Sequence, residues 1–174
     1  MSDTSSLYEE LLAKLATSDS ADRRNWGRLI AEQDVEMEAL APLLFAERNT
    51  AYRFSWLLSD IGLADPEKLF SILSYAFEKR YETGISDFEQ QFVKYWRIAG
   101  IPEQHKGKAI DLMFNLLADP KVGTHIKSVS AEVLHNLANE YPELGNELRL
   151  CLQQELDKNT NAFRKKAEGI LRKL

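Results

Sequence analysis

Residues 110–138, IDLMFNLLADPKVGTHIKSVSAEVLHNLA, decide the fold. Ile110, Met113, Phe114 and Leu117 recur at helical spacing, and so do Ile126, Val129, Val133, Leu134 and Leu137. Between the two runs stands Asp119-Pro120. The residue before a proline is pushed out of the right-handed helical region, so the first helix stops there. Thr124 is placed to cap the second. The stretch is a helical hairpin with an apolar stripe on each arm. One partner cannot cover both stripes, so such a hairpin requires others stacked against it.

Working outward, the same reading covers the chain. Leu7, Leu11, Leu12 and Leu15 mark a first amphipathic helix after a flexible tail at residues 1–6. Thr17-Ser18-Asp19-Ser20 breaks it and caps a second, on which Trp26, Leu29 and Ile30 share a face. A third spans Val35 to Arg48, where Pro42 either kinks it or separates two shorter helices. Asn49-Thr50 caps a helix over Ala51–Leu63, which Gly62 is placed to end. Asp65-Pro66 opens the next, through Leu69, Ile72, Leu73, Ala76, Phe77 and Tyr81. A loop at 83–87 precedes a helix lined by Phe88, Phe92, Trp96 and Ala99. Past Gly100-Ile101-Pro102 comes the central hairpin, then a helix after Tyr141-Pro142 and a last one after Asn159-Thr160-Asn161. No strand-like alternation of useful length occurs. Ten helices in five pairs make the expected fold all-α, in one domain over residues 1–174.

The pairs repeat. Thr50, Asp87, Thr124 and Asn161 lie 37 residues apart, and Arg53, Gln90, Lys127 and Arg164 follow three positions after each. Ser20 and Arg23 show the same pattern 30 residues before Thr50 and Arg53. In the last step Ile126, Val133, Leu134 and Leu137 map onto Phe163, Ile170, Leu171 and Leu174. The third pair fits worst, and with the Thr83-Gly84 loop before it, the weakest joint is expected at 81–100.

The stretches LLADPKVGTHIKSVSAEVLHNLA, LLFAERNTAYRFSWLLSDIG and ELDKNTNAFRKKAEGILRKL resemble the HEAT-like, armadillo-type repeat of α-solenoids. The resemblance implies a right-handed α-α superhelix of about five HEAT-like hairpins. It also implies a ladder between neighbouring repeats, with Arg23, Arg53, Lys127 and Arg164 as its basic rungs and Asp19, Asp119 and Asp157 as its acidic ones. Gln90 departs from the pattern and interrupts the ladder. Proteins of this kind mostly bind other macromolecules along the concave face, and a few excise damaged DNA bases.

Composition narrows the classes. A net charge of −5 disfavours a general nucleic-acid binder, because neutralising phosphates needs a basic surface. The charge is uneven: residues 1–50 hold five basic and ten acidic side chains, and residues 160–174 hold five basic and one acidic. One cysteine, Cys151, forms no internal disulfide and points to a reducing compartment. The acidic start lacks a signal-peptide layout, and no apolar run reaches membrane-span length. The expected setting is cytoplasmic.

Catalytic signatures are missing. Glu132 and His135 form one Glu-x-x-His, but a di-iron site needs a second copy and two further glutamates. Cys151, between Leu150 and Leu152, reads as a small buried hydrophobe. Ser128 and Ser130 lack a nucleophile-elbow setting. No catalytic residue, cofactor or metal is expected. Arg23-x-x-Trp26 recurs as Arg53-x-x-Trp56, and Lys94, Tyr95, Trp96 and Arg97 form the densest aromatic-basic cluster. These tryptophans are either core residues or anchors on a binding surface. The expectation is a non-enzymatic protein-binding module that uses Arg53, Trp56, Lys94, Tyr95, Trp96 and Arg97. The alternative is a HEAT-like DNA-lesion glycosylase or another nucleic-acid-binding protein, which requires its basic residues to converge on a groove around an unpaired Asp.

Overall fold

Every regular element among the described residues is helical, and helix packs on helix throughout. The computed structural model describes residues 4–174. Residues 1–3 of the expected tail lie outside them; residues 4–6 are not a tail, because helix α1 (Thr4–Lys14) begins there. No helix among the described residues is long and apolar enough to cross a membrane. The chain forms two compact units that divide between Pro102 and Glu103.

The first unit holds α1, α2 (Ser20–Glu32), α3 (Met37–Leu40), α4 (Arg48–Ala64), α5 (Pro66–Glu78) and α6 (Glu89–Ala99). α1 packs on α3 and α3 on α5, while α2 packs on α4 and α4 on α6, giving two layers. α4 is the axis of this unit. Ala51, Phe54, Leu57, Leu58 and Ile61 along it are fully buried. The capping chemistry is local and legible. Asp19 accepts hydrogen bonds from the amides of Ala21 and Asp22, and the Asp22 carboxylate accepts one from the Asp19 amide in return. Asp65 caps α5, with Pro66 supplying a first residue whose missing N–H costs nothing. Pro42 lies at the start of a 3-10 turn over Ala41–Phe45 that follows α3 directly.

The second unit holds α7 (Lys106–Ala118), α8 (Thr124–Ala138), α9 (Glu143–Glu155) and α10 (Asn161–Leu171). α7 and α9 form one layer, α8 and α10 the other. Leu117, Leu134, Leu148 and Leu152 are fully buried between them. Thr160 caps α10 through its side chain. Thr124 does not cap α8: it is the first helical residue, and Gly123 before it offers no side chain.

The helix expected over Val35–Arg48 is only the short α3 and the 3-10 turn after it, α5 stops at Glu78 before Tyr81, and the bounds of α4 differ as well. α4 starts at Arg48 with Glu47 accepting from the Asn49 amide, so Asn49-Thr50 lies inside the helix. Gly62 does not stop α4 but sits buried within it. A methyl group on its Cα would fall 3.0 Å from Leu69 Cβ and 3.2 Å from Ile98 Cγ2, so the glycine lets α5 and α6 close on α4. The repeat phase slips accordingly. Ser20, Thr124 and Asn161 each occupy the first position of a helix, but Thr50 is third in α4 and Asp87 precedes α6 by two residues.

The segment expected to be loosest is densely packed. Phe77 lies edge-on to Phe92 and Trp96 at 5.1 and 5.4 Å between ring centres, and Phe92 also meets Phe88 and Tyr95. The loop before α6 is held as well, since Tyr52 Oη accepts from the Ser86 amide at 2.8 Å and donates to its carbonyl.

Candidate functional site

α2 and α4 cross at unusually short range because Gly27 has no side chain at the crossing. A methyl group there would lie 2.9 Å from the Asp60 carbonyl carbon and 3.0 Å from Asp60 Cβ. This contact fixes what flanks the crossing. On α4, Arg53, Trp56, Asp60 and Leu63 fall at intervals of three or four and share one face. On α2, Arg24 and Arg28 stand one turn apart and are both exposed. Between these two edges lies a cleft of about 570 Å³, lined by Arg24, Asn25, Arg28, Asp60 and Leu63 among others.

Trp56 is the aromatic element of the site. Its indole is 38% exposed, and two guanidinium groups lie over it, Arg23 at 5.2 Å and Arg53 at 5.1 Å from the ring centre. Both arginines donate to one carbonyl, that of Ser18, Arg53 at 2.8 Å and Arg23 at 3.4 Å. Asp19 capping α2 is what sets Arg23 one turn in, beside that carbonyl. Arg23 is buried, and its Nε has no hydrogen-bond partner. The nearest carboxylate, Asp60 Oδ2, is 3.9 Å away. Burial pushes the Asp60 carboxyl above the ordinary aspartate value, against the pull of Arg23 and Arg24. Arg28 donates to Asn25 Oδ1 at 2.6 Å, which holds it along the cleft edge.

Of the residues expected to bind a partner, the structure brings Arg53 and Trp56 together and disperses the rest. Tyr95 and Trp96 are core residues, not surface anchors. Tyr95 is fully buried and donates to the Ser55 carbonyl, and Trp96 is 3% exposed within the aromatic cluster. Lys94 is half-buried beside Gln91, where burial and nearby Arg97 lower its pKa. Arg97 is exposed. The four therefore do not form one patch. Consecutive residues on a helix point about 100° apart, so four in a row cannot share a face.

The basic positions of the expected ladder find other partners. Arg53 reaches a carbonyl in place of a turn carboxylate. Lys127 is buried and pairs at 2.8 Å with Glu155, the last residue of α9, not with Asp119. Arg164 pairs with Asp157 at 2.8 Å, but both lie in the last hairpin, so this is not the rung between neighbouring repeats that was expected. Asp60, Arg24, Arg28 and Leu63 are the site residues that sequence reasoning missed. Their signal was the Trp56–Asp60–Leu63 spacing on α4 and a glycine within α2. Among the described residues no three His, Cys, Asp or Glu side chains gather as a metal site. Comparison of the chain with protein-family models, with curated proteins and with solved structures gives no match.

Proposed function

We propose that the chain is a non-enzymatic protein-binding module, that its two-layered helical units belong to a right-handed HEAT-like superhelix, and that it docks its partner in the groove between α2 and α4. The observation that supports this is Trp56, a large aromatic side chain left 38% exposed and flanked by two arginines. Tryptophan and arginine are the residue types over-represented among the side chains that dominate binding energy. Arg24, Arg28 and the exposed Leu63 line the cleft, and Trp56 stands one turn before Asp60 on the same face of α4, so both types of anchor are at hand. The test is affinity capture from lysate of the source cells, quantified by mass spectrometry. Proteins held by the parent chain are expected to be lost with Trp56→Ala and retained with Arg97→Ala. Retention by both variants rejects the groove as the docking site.

One observation favours a second reading, that of a DNA-lesion glycosylase. Asp60 is a part-buried carboxyl in a cleft beside arginines and a tryptophan, the surroundings such an enzyme needs. Lys127 and Arg164 do not contribute to that cleft in this reading, because each is already paired with a carboxylate. Release of a damaged base from duplex DNA, abolished by Asp60→Asn, is the outcome that establishes it. No release by the parent chain removes it.

A further inference from the structure

The distribution of charge around the α2–α4 groove identifies what it can hold. Arg24 and Arg28 line the cleft, and neither makes a salt bridge among the described residues. Arg23 adds a buried Nε without a partner, and Arg53 spends its guanidinium on a carbonyl. Asp60 is the acidic side chain in the cleft wall. The groove thus carries a surplus of positive charge within a protein whose net charge is −5.

The surplus is short. At one end the cleft continues past Arg28 and Ala64 into a hollow lined by Glu32, Asp65 and Glu67. At the other it continues past Asn25 into one lined by Glu10 and Asp22, where Lys14 is already paired with Glu10. The positive stretch covers about two helical turns, on the order of 11 Å. A nucleic-acid strand carries a negative charge at every nucleotide and would meet carboxylates at both ends. A short peptide with two carboxylates ends before it reaches them. Leu63, 72% exposed, lies one turn beyond Asp60 and gives the same segment an apolar neighbour.

Resting on the reading of the chain as a protein-binding module, we infer that the α2–α4 groove takes a short acidic peptide segment, with carboxylates on Arg24 and Arg28 and adjacent apolar side chains against Trp56 and Leu63. The planar guanidinium matches a carboxylate with two parallel hydrogen bonds, which gives geometric selectivity as well as attraction. The indole supplies contact area at small entropic cost, since few rotatable bonds must be fixed.

Selection of a random peptide phage library on the immobilised full chain tests this. Recovered peptides are expected to be enriched in Asp and Glu next to Leu, Phe or Trp. Their synthetic forms should lose about tenfold in affinity with Arg24→Glu/Arg28→Glu and less with Arg24→Gln/Arg28→Gln, and added salt should weaken binding to the parent chain and shrink these differences. All four substitutions are at exposed sites, so unchanged thermal midpoints are expected to accompany the loss. Peptides without acidic enrichment that still depend on Trp56 overturn the acidic segment and leave the protein-binding reading intact. Peptides that depend on neither the arginines nor Trp56 overturn both. Tighter binding of a single-stranded oligonucleotide than of the selected peptides at physiological salt also overturns the inference, in favour of phosphate.

Discussion

Gly27→Ala tests the crossing on which the groove depends. Alanine is the better helix former by about 1 kcal/mol, so at a free helical position the change stabilises. At the crossing, the new methyl group lies 2.9 and 3.1 Å from the carbonyl carbon and oxygen of Asp60, and 3.0 Å from its Cβ. Ordinary carbon contacts are about 3.5–4.0 Å. The atoms in the way are mostly helix backbone and cannot rotate aside, so α2 and α4 must separate. Overpacking of this kind costs about 1–3 kcal/mol, and a contact that only a backbone shift relieves belongs in the upper half of that range. Subtracting the propensity gain leaves a net loss of about 1–2 kcal/mol. At about 2–4 °C per kcal/mol for a chain of this size, the thermal midpoint should fall by about 2–8 °C. Gly107→Ala in the first turn of α7 is the control, since nothing lies within 4 Å of its added methyl group. It should raise stability by a few tenths to 1 kcal/mol. Urea denaturation and calorimetry of both variants give the comparison. Gly27→Ala as stabilising as Gly107→Ala would refute the close crossing, and with it the placement of Asp60 between the arginines.

Lys127→Ala should cost about 3 kcal/mol in urea denaturation, because it strands the buried Glu155 carboxylate; Lys158 and Asn159 still reach that carboxylate and keep the loss at the low end. Burial acts to raise Glu155, but hydrogen bonds from Lys127, Lys158 and Asn159 outweigh it and hold its pKa below the ordinary value of 4.5. Its contribution is therefore complete above about pH 4.5 and is lost as pH falls through the lower folded value, so Glu155→Gln should flatten that part of the acid-unfolding curve. Tyr95→Phe removes the bond to Ser55 and should cost about 1 kcal/mol in the same assay, with partner capture unchanged. Leu134→Ala should cost about 2–5 kcal/mol, because Leu134 is fully buried in α8 and its loss leaves a cavity. Trp56→Ala should cost about 2–3 kcal/mol, less than a core tryptophan because 38% of the residue stays exposed; a loss near 5 kcal/mol would show that its role is packing.

The all-helical class and the Asp-Pro and Asp-Ser boundaries were legible because they rest on local chemistry. Asp19 and Asp65 cap the helices they precede whatever packs above them. Gly62 was not legible as an interior residue. A glycine that ends a helix and one that lets a neighbouring helix approach look alike in sequence, and only Leu69 and Ile98 distinguish them. The Lys94–Arg97 cluster misled for a different reason. Adjacency along the chain brought basic and aromatic types together, but the helix turns Tyr95 and Trp96 into the core and leaves Lys94 and Arg97 outside it. Arg53 and Trp56 were found, yet Arg23, which shares their indole and carbonyl, comes from another helix, and no local pattern shows that α2 and α4 cross at Gly27.

The arginines around Trp56 are arranged unlike a structural ion pair. Lys127 shows what that looks like in the second unit: a buried cation, a carboxylate at 2.8 Å and further donors that satisfy the carboxylate. Arg23 and Arg53 instead share one neutral carbonyl and one indole, and the nearest carboxylate, Asp60, stands 3.9 Å from Arg23, at the outer limit of an ion pair. The carbonyl dipole and the electron-rich ring face offset part of the repulsion between two cations, but they neutralise neither. A groove that holds like charges together in the free chain gains more from a bound carboxylate than a neutralised one does. Repulsion already present is relieved when a carboxylate binds Arg24 and Arg28, which line the cleft and are exposed. That surplus of positive charge is what supports the inference that the α2–α4 groove takes a short acidic segment.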